Sequence, residues 1–180
     1  MPTGLLVIDI QNDYFPGGAF PLVGPDEAAE RAAEVLSRFR AKDLPVIHVQ
    51  HIWDAPDAEF FKPDTHGVQI HSLVAPDGEE PVIRKAYPNT FRGTRLSDVL
   101  ESLSVDHLVV AGMMTSMCVD ATVRAAADLG HTVTVVADAC AAPDLEFDGR
   151  AVAAADVQAA FLAALADSYA VVTTSRDLDM

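Results

Sequence analysis

The sequence is poor in cysteine, basic residues and long apolar runs, and each shortage excludes something. Two cysteines in 180 residues cannot build a disulfide framework. The longest strongly apolar run, Leu108 to Met114, is far short of the ~20 residues that cross a bilayer. Lys and Arg total 12 against 27 Asp and Glu, a net charge of −15 with six histidines taken as neutral. Such a surface repels phosphate backbones, so nucleic-acid binding would need a local basic patch. Arg38, Arg40 and Lys42 do cluster, but they read as a helix C-terminus, where cations suit the dipole. Met1-Pro2 leads almost directly into Leu5-Leu6-Val7-Ile8, without a basic region or a cleavage site. No signal peptide is expected, and a cytoplasmic protein with reduced thiols is. Neither a nucleic acid nor a membrane is an expected partner.

Half of the residues are hydrophobic and 22% are charged, which excludes disorder. The length suits one domain over 1–180. Apolar, β-branched runs at Leu5–Ile10, Pro45–Gln50, Val82–Lys85, His107–Gly112, Thr132–Ala137 and Ala170–Thr174 read as strands. Several lack alternation, as strands covered on both faces do. Helical periodicity starts at Pro25, with Asp26 and Glu27 in the first turn, and recurs near 94–103, 116–129 and 152–167. This order predicts a three-layer, doubly wound α/β fold: a mostly parallel six-stranded sheet with helices on both faces. The stretch from His51 to Pro81 is long, rich in Pro and Gly, and holds Trp53, Phe60 and Phe61. Loops of that length in compact domains usually carry function.

Open parallel sheets bind ligands at the carboxyl ends of their strands. Strand one delivers Asp9, strand two His51 and strand three Lys85; strand four runs into Cys118 near the next helix start. Each has an ordinary alternative. Asp9 suits a turn or a cap, a lone lysine is usually solvated, and a lone cysteine is usually a small buried hydrophobe. Together they suggest nucleophilic chemistry. A thiol at a helix N-terminus beside a lysine is expected to have a lowered pKa. A carboxylate in reach could take its proton and later activate water. Cys140 keeps the buried reading.

At these residues the sequence resembles the isochorismatase-like cysteine hydrolase superfamily. The pieces are Val7-Ile8-Asp9-Ile10-Gln11-Asn12-Asp13-Tyr14-Phe15, Val49-Gln50-His51, Ile83-Arg84-Lys85, Phe91-Arg92-Gly93-Thr94, Val110 through Val119, and Val136 through Cys140, in that order. The resemblance implies a triad of Asp9, Lys85 and Cys118. It also implies a non-proline cis peptide at Met113-Met114, and an oxyanion hole from the N–H groups of Met114 and Cys118. Metal-binding relatives carry Asp-x-His after strand two, where this chain has His51-Ile52-Trp53. The expectation is therefore no metal and no cofactor. His66 and His71 lie on a loop whose path the sequence does not fix.

An intact cysteine favours acyl chemistry on a small amide or lactam over vinyl-ether cleavage, the isochorismatase reaction. A catalytically silent binding descendant is the rival from another class. The tail from Leu145-Glu146-Phe147-Asp148-Gly149 through Val157–Leu165 resembles a branch that includes streptothricin hydrolase, and an acidic protein suits a cationic substrate. Tyr14, Phe15, His51, Trp53, Phe60, Phe61 and Asn89 are the candidate walls of a small-molecule pocket. A homo-oligomer, dimer or higher, is expected.

Overall fold

The computed structural model describes residues 2–179. Its main sheet comprises β1 (Thr3–Ile8), β2 (Val46–His51), β3 (Val82–Lys85), β4 (His107–Met113), β5 (Thr132–Ala141) and, last in the chain, β8 (Val171–Thr173). The order is β3-β2-β1-β4-β5-β8, and every neighbouring pair is parallel. The chain lays β2 and β3 to one side of β1, then crosses over to place β4 and β5 on the other. The strand order thus reverses between β1 and β4, and it is beyond the carboxyl ends at such a reversal that open parallel sheets bind ligands.

The helices divide between the two faces. Helix α1 (Pro25–Ala41) buries Ala28, Ala29, Ala32, Val35, Leu36 and Phe39 against Leu5, Val7, Val109 and Val136. Proline at its first position, acids in its first turn and Arg38 and Arg40 in its last all suit the helix dipole. Each large aliphatic or aromatic chain so buried contributes roughly 1.5–3 kcal/mol. On the opposite face lie α2 (Leu96–Ser102), α3 (Asp120–Asp128) and α4 (Ala154–Ser168). There Leu96, Leu100, Val123 and Leu165 cover Leu6, Ile8, Ile47 and Val110. No helix among the described residues is long and apolar enough to cross a membrane.

Some elements differ from the sequence expectation. β1 ends at Ile8, so Asp9 lies just beyond the strand with φ of 50°. β5 runs on to Ala141, through a register shift against β4. An antiparallel hairpin, β6 (Leu145–Phe147) and β7 (Arg150–Val152), precedes the last helix, where no element is expected. Its turn is Asp148-Gly149, both at positive φ, the pair that two-residue hairpins favour. Between β4 and α3 sits a five-residue wide turn, Thr115–Val119, instead of the start of a regular helix.

Backbone approach is closest where β1 meets β4. Gly112 pairs with Ile8, and a side chain there would overlap the Ile8 carbonyl. At the far end of β2, buried His48 bonds Glu80 at 2.8 Å, and Arg40 holds the same carboxylate through two hydrogen bonds. This cluster ties the loop before β3 to α1.

Candidate active site

The switch point between β1 and β4 gathers four side chains. Asp9 follows β1, His51 ends β2, Lys85 ends β3, and Cys118 stands in the wide turn after β4. Parallel registers set this up: Ile8 pairs with Gly112 and His51 pairs with Lys85. The carboxyl ends are therefore level, and residues at or just past them meet. Positive φ at Asp9 is a strained choice for a residue with a Cβ, of the kind that clusters at functional sites.

Lys85 Nζ is the hub. It lies 2.6 Å from Asp9 Oδ2, 2.9 Å from His51 Nδ1 and 3.1 Å from Cys118 Sγ. It is hydrogen-bonded to His51 and Cys118 and ion-paired with Asp9. Burial alone would lower the Lys85 pKa, but Asp9 and Cys118 outweigh it and the net shift is upward. Lys85 is thus a buried cation, not a solvated surface lysine. The Asp9 side chain is fully buried; Oδ2 is ion-paired with Lys85, and neither Oδ1 nor Oδ2 has a well-formed hydrogen bond. Asp9 and Cys118 present their ligand atoms within 4.8 Å of each other. A free carboxylate lone pair beside a thiol is a ready proton acceptor.

The Cys118 thiol is pushed up, by burial first and by the Asp9 charge second, and Lys85 offsets only part of this. That reverses the expectation of a lowered pKa. A helix start and a lysine favour the thiolate, but the carboxylate beside them and the loss of water disfavour it more. Burial and the neighbouring carboxylate thus favour the protonated form of the thiol. Burial and the Lys85 charge likewise lower His51 to about 4, against a smaller opposing pull from Asp9. His51 is therefore neutral at physiological pH.

Asp9, His51 and Cys118 together have the donor set of a small metal site. Lys85 already occupies the space among them, at contact distance from all three. A dication there would face a buried ammonium, so these residues do not fit a metal while Lys85 is in place.

The aromatic candidates fall into two groups. Tyr14 is buried and packs on Phe61 (4.6 Å), Phe60 (5.8 Å) and Phe20 (6.4 Å). Trp53 meets Phe60 edge-on at 5.3 Å, and Phe61 reaches to within 5.9 Å of His51. These residues form one wall beside the site. Phe15 lies apart, stacked on His71 at 3.9 Å. Asn89 spends its Oδ1 on the Phe91 N–H, which shapes the loop after β3. The Met113–Met114 peptide is cis.

Two positioning residues are absent from the sequence-based candidates. Gln11, fully buried, accepts from the His51 N–H at 2.8 Å and donates to the His51 carbonyl at 2.9 Å and to the Val68 carbonyl at 2.7 Å. Asp13 accepts from the N–H groups of Phe61 and Ala19 and so anchors the aromatic wall. Both belong to the run after β1, but nothing in their spacing names their partners.

Comparison with known proteins shows what the whole chain is similar to. A family model, the isochorismatase domain, matches residues 3–177. An isochorismatase family protein of Bacillus subtilis (strain 168) is 50% identical over 176 residues, covering 98% of both chains. Streptothricin hydrolase of Streptomyces noursei is 35% identical over 141 residues, 78% of this chain and 50% of that one. Among solved structures, an isochorismatase hydrolase of Oleispira antarctica superposes with a TM-score of 0.94 at 47% identity. That match covers 98% of this chain and 95% of the other.

Proposed function

The chain belongs to the isochorismatase family of hydrolases, and on that premise we propose that it cleaves a C–N bond of a small amide or lactam through a thioester at Cys118. The observation that carries this reading is the contact of Lys85 with both Asp9 and Cys118, beside the unpartnered Asp9 Oδ1. The streptothricin hydrolase likeness supports the amide-type substrate.

In this mechanism Asp9 takes the Cys118 proton as the sulfur attacks the carbonyl carbon. Because the thiol is neutral at rest, the proton moves with the attack instead of before it. Lys85 holds the carboxylate in place and stays charged through both half-reactions. Negative charge developing on the carbonyl oxygen falls to the N–H groups of Met114 and Cys118, the kind of preorganised donors that usually carry most of the rate. Asp9 returns the proton to the departing amine, and the C–N bond breaks. It then takes a proton from water, and the resulting hydroxide equivalent attacks the thioester and regenerates the thiol. The wall of Tyr14, Trp53, Phe60 and Phe61 is proposed to shape the acyl pocket. The reaction balances with water alone.

The test is a panel of small amides and lactams read by amine release, with intact mass taken during turnover. Amine release and a transient mass gain on Cys118 are expected. Vinyl-ether hydrolysis that survives Cys118→Ala would replace this reading with the isochorismatase-type one.

A further inference from the structure

The hydrogen bonds of Lys85 determine which nitrogen of His51 carries the proton. An ammonium donates and cannot accept. The 2.9 Å contact from Lys85 Nζ therefore requires His51 Nδ1 to be the acceptor. A neutral imidazole with an accepting Nδ1 has its proton on Nε2. Nε2 forms no hydrogen bond with any described residue. The His51 side chain is 14% exposed, whereas those of Asp9 and Lys85 are fully buried. Nδ1 is thus engaged with buried Lys85, and Nε2–H is left as the unpaired polar group of a partly exposed ring. Nor can the ring drift: Gln11 grips the His51 backbone on both sides, and Phe61 stands 5.9 Å away. Nδ1 is 3.9 Å from Cys118 Sγ, so the imidazole stands beside the nucleophile.

We propose that His51 is a specificity-determining residue, its Nε2–H donating to an acceptor oxygen of the substrate that lies a bond or two from the carbon attacked by Cys118. The inference rests on Cys118 as the nucleophile. It narrows the substrate to small amides or lactams with a neighbouring hydroxyl, ether or carbonyl oxygen. A simple apolar amide leaves a fixed, desolvated donor unpaired, and sites built to bond a substrate group reject analogues that lack it.

Two substitutions separate this role from mere support of Lys85. The Oδ1 of asparagine can stand where His51 Nδ1 stands, so His51→Asn keeps the Lys85 acceptor and removes the outer donor. His51→Gln reaches the outer position and gives up the inner one. The probes are iodoacetamide, which carries a carbonyl next to the reacting carbon, and iodoethane, which does not. The readout is the ratio of their Cys118 alkylation rates. His51→Asn is expected to cut that ratio about tenfold, and His51→Gln to leave it within about twofold of the parent protein. Nitrogen NMR of the parent protein should show the Nε2–H tautomer. The reverse pattern, equal change in both variants, no change in either, or an Nδ1–H tautomer overturns the proposal. Alkylation needs no turnover. An amide panel that fails while the ratios hold would therefore remove the amide reading, and with it the narrowing to amides and lactams, and leave the His51 donor role standing.

Discussion

Gln11 and His51 are bonded in both directions: Gln11 Oε1 accepts from the His51 N–H, and Gln11 Nε2 donates to the His51 carbonyl. β1 ends at Ile8, opposite Val49, so His51 keeps its β3 partner but has none on the β1 side. Here a side-chain amide takes the place of the missing strand, and the same amide reaches the Val68 carbonyl of the long loop. Gln11→Met keeps the volume and removes all three bonds. It leaves buried backbone groups unsatisfied, at about 1–3 kcal/mol for each such group. Chemical denaturation is expected to show a loss of about 3 kcal/mol, with turnover reduced because His51 is no longer held. A variant as stable and as active as the parent would show that the loop and β2 hold His51 without help.

Cys118→Ala is expected to fold and to lose at least about 10⁴-fold in kcat, as removal of a covalent nucleophile does elsewhere. Cys140 makes the control. It is buried, its Sγ contacts the Val136 carbonyl, and burial pushes its thiol up to about 12. Cys140→Ala should leave kcat unchanged and lower stability by about 1 kcal/mol through the small void it creates. Equal loss of turnover in the two variants would remove Cys118 from its special role.

Stability should fall on the acid side in two stages. Burial and Lys85 hold His51 at about 4, below its ordinary 6.5, so the folded state disfavours the proton that the unfolded chain accepts. The contribution is whole above pH 6.5 and is lost as pH falls towards 4, by at most about 3 kcal/mol. Burial would raise Glu80, but bonds from Arg40, the Asp77 N–H and His48 outweigh it and hold the group at about 2. Its contribution is present above 4.5 and is lost as pH falls through 2. Denaturation midpoints taken from pH 7 to pH 3 should show the first stage flattened in His51→Asn and the second in Glu80→Gln. An unchanged first stage in His51→Asn would mean that the imidazole is not held neutral.

What the sequence makes legible follows from period and position. The apolar runs that form β1 and β4 are unambiguous because both faces are covered, so nearly every residue in them is hydrophobic or small. Asp9, Lys85 and Cys118 stand out because each follows or ends such a run, and parallel pairing brings the ends together. The hairpin at 145–152 has its signal in Asp148-Gly149 between alternating residues, but it is short and half polar, and Phe147 at its turn is 83% exposed. Gln11 and Asp13 have partners that no pattern names, since a side chain bonded to distant backbone leaves no periodic trace. The direction of the Cys118 shift is hidden for a related reason. Sequence shows which kinds of charge are near, but the sign of their balance depends on how deeply the thiol is buried and how close Asp9 stands.

That balance yields the least intuitive expectation, at Asp9. The carboxylate is proposed to be the base of both half-reactions, so Asp9→Asn should abolish turnover. Yet the same charge is what, after burial, keeps the Cys118 thiol protonated at rest. Removing it while leaving Lys85 in contact with Sγ at 3.1 Å takes away an anion and keeps a cation. The thiolate then becomes the natural partner of the buried ammonium, since an unpaired charge in that position would be costly. Asp9→Asn should therefore make Cys118 more reactive towards iodoacetamide while making the enzyme inactive. In the parent protein the alkylation rate should climb steadily from pH 7 to pH 10 without a plateau, as a raised thiol requires. In the variant the same curve should move to lower pH and run at least about tenfold faster near pH 8, because below its pKa a thiol gives tenfold more thiolate for each step of one in pKa. Intact mass against time gives both curves. Slower alkylation of Asp9→Asn across the range would mean that the carboxylate holds the thiol ready instead of holding it protonated, and the proton-transfer step assigned to Asp9 would have to be rewritten.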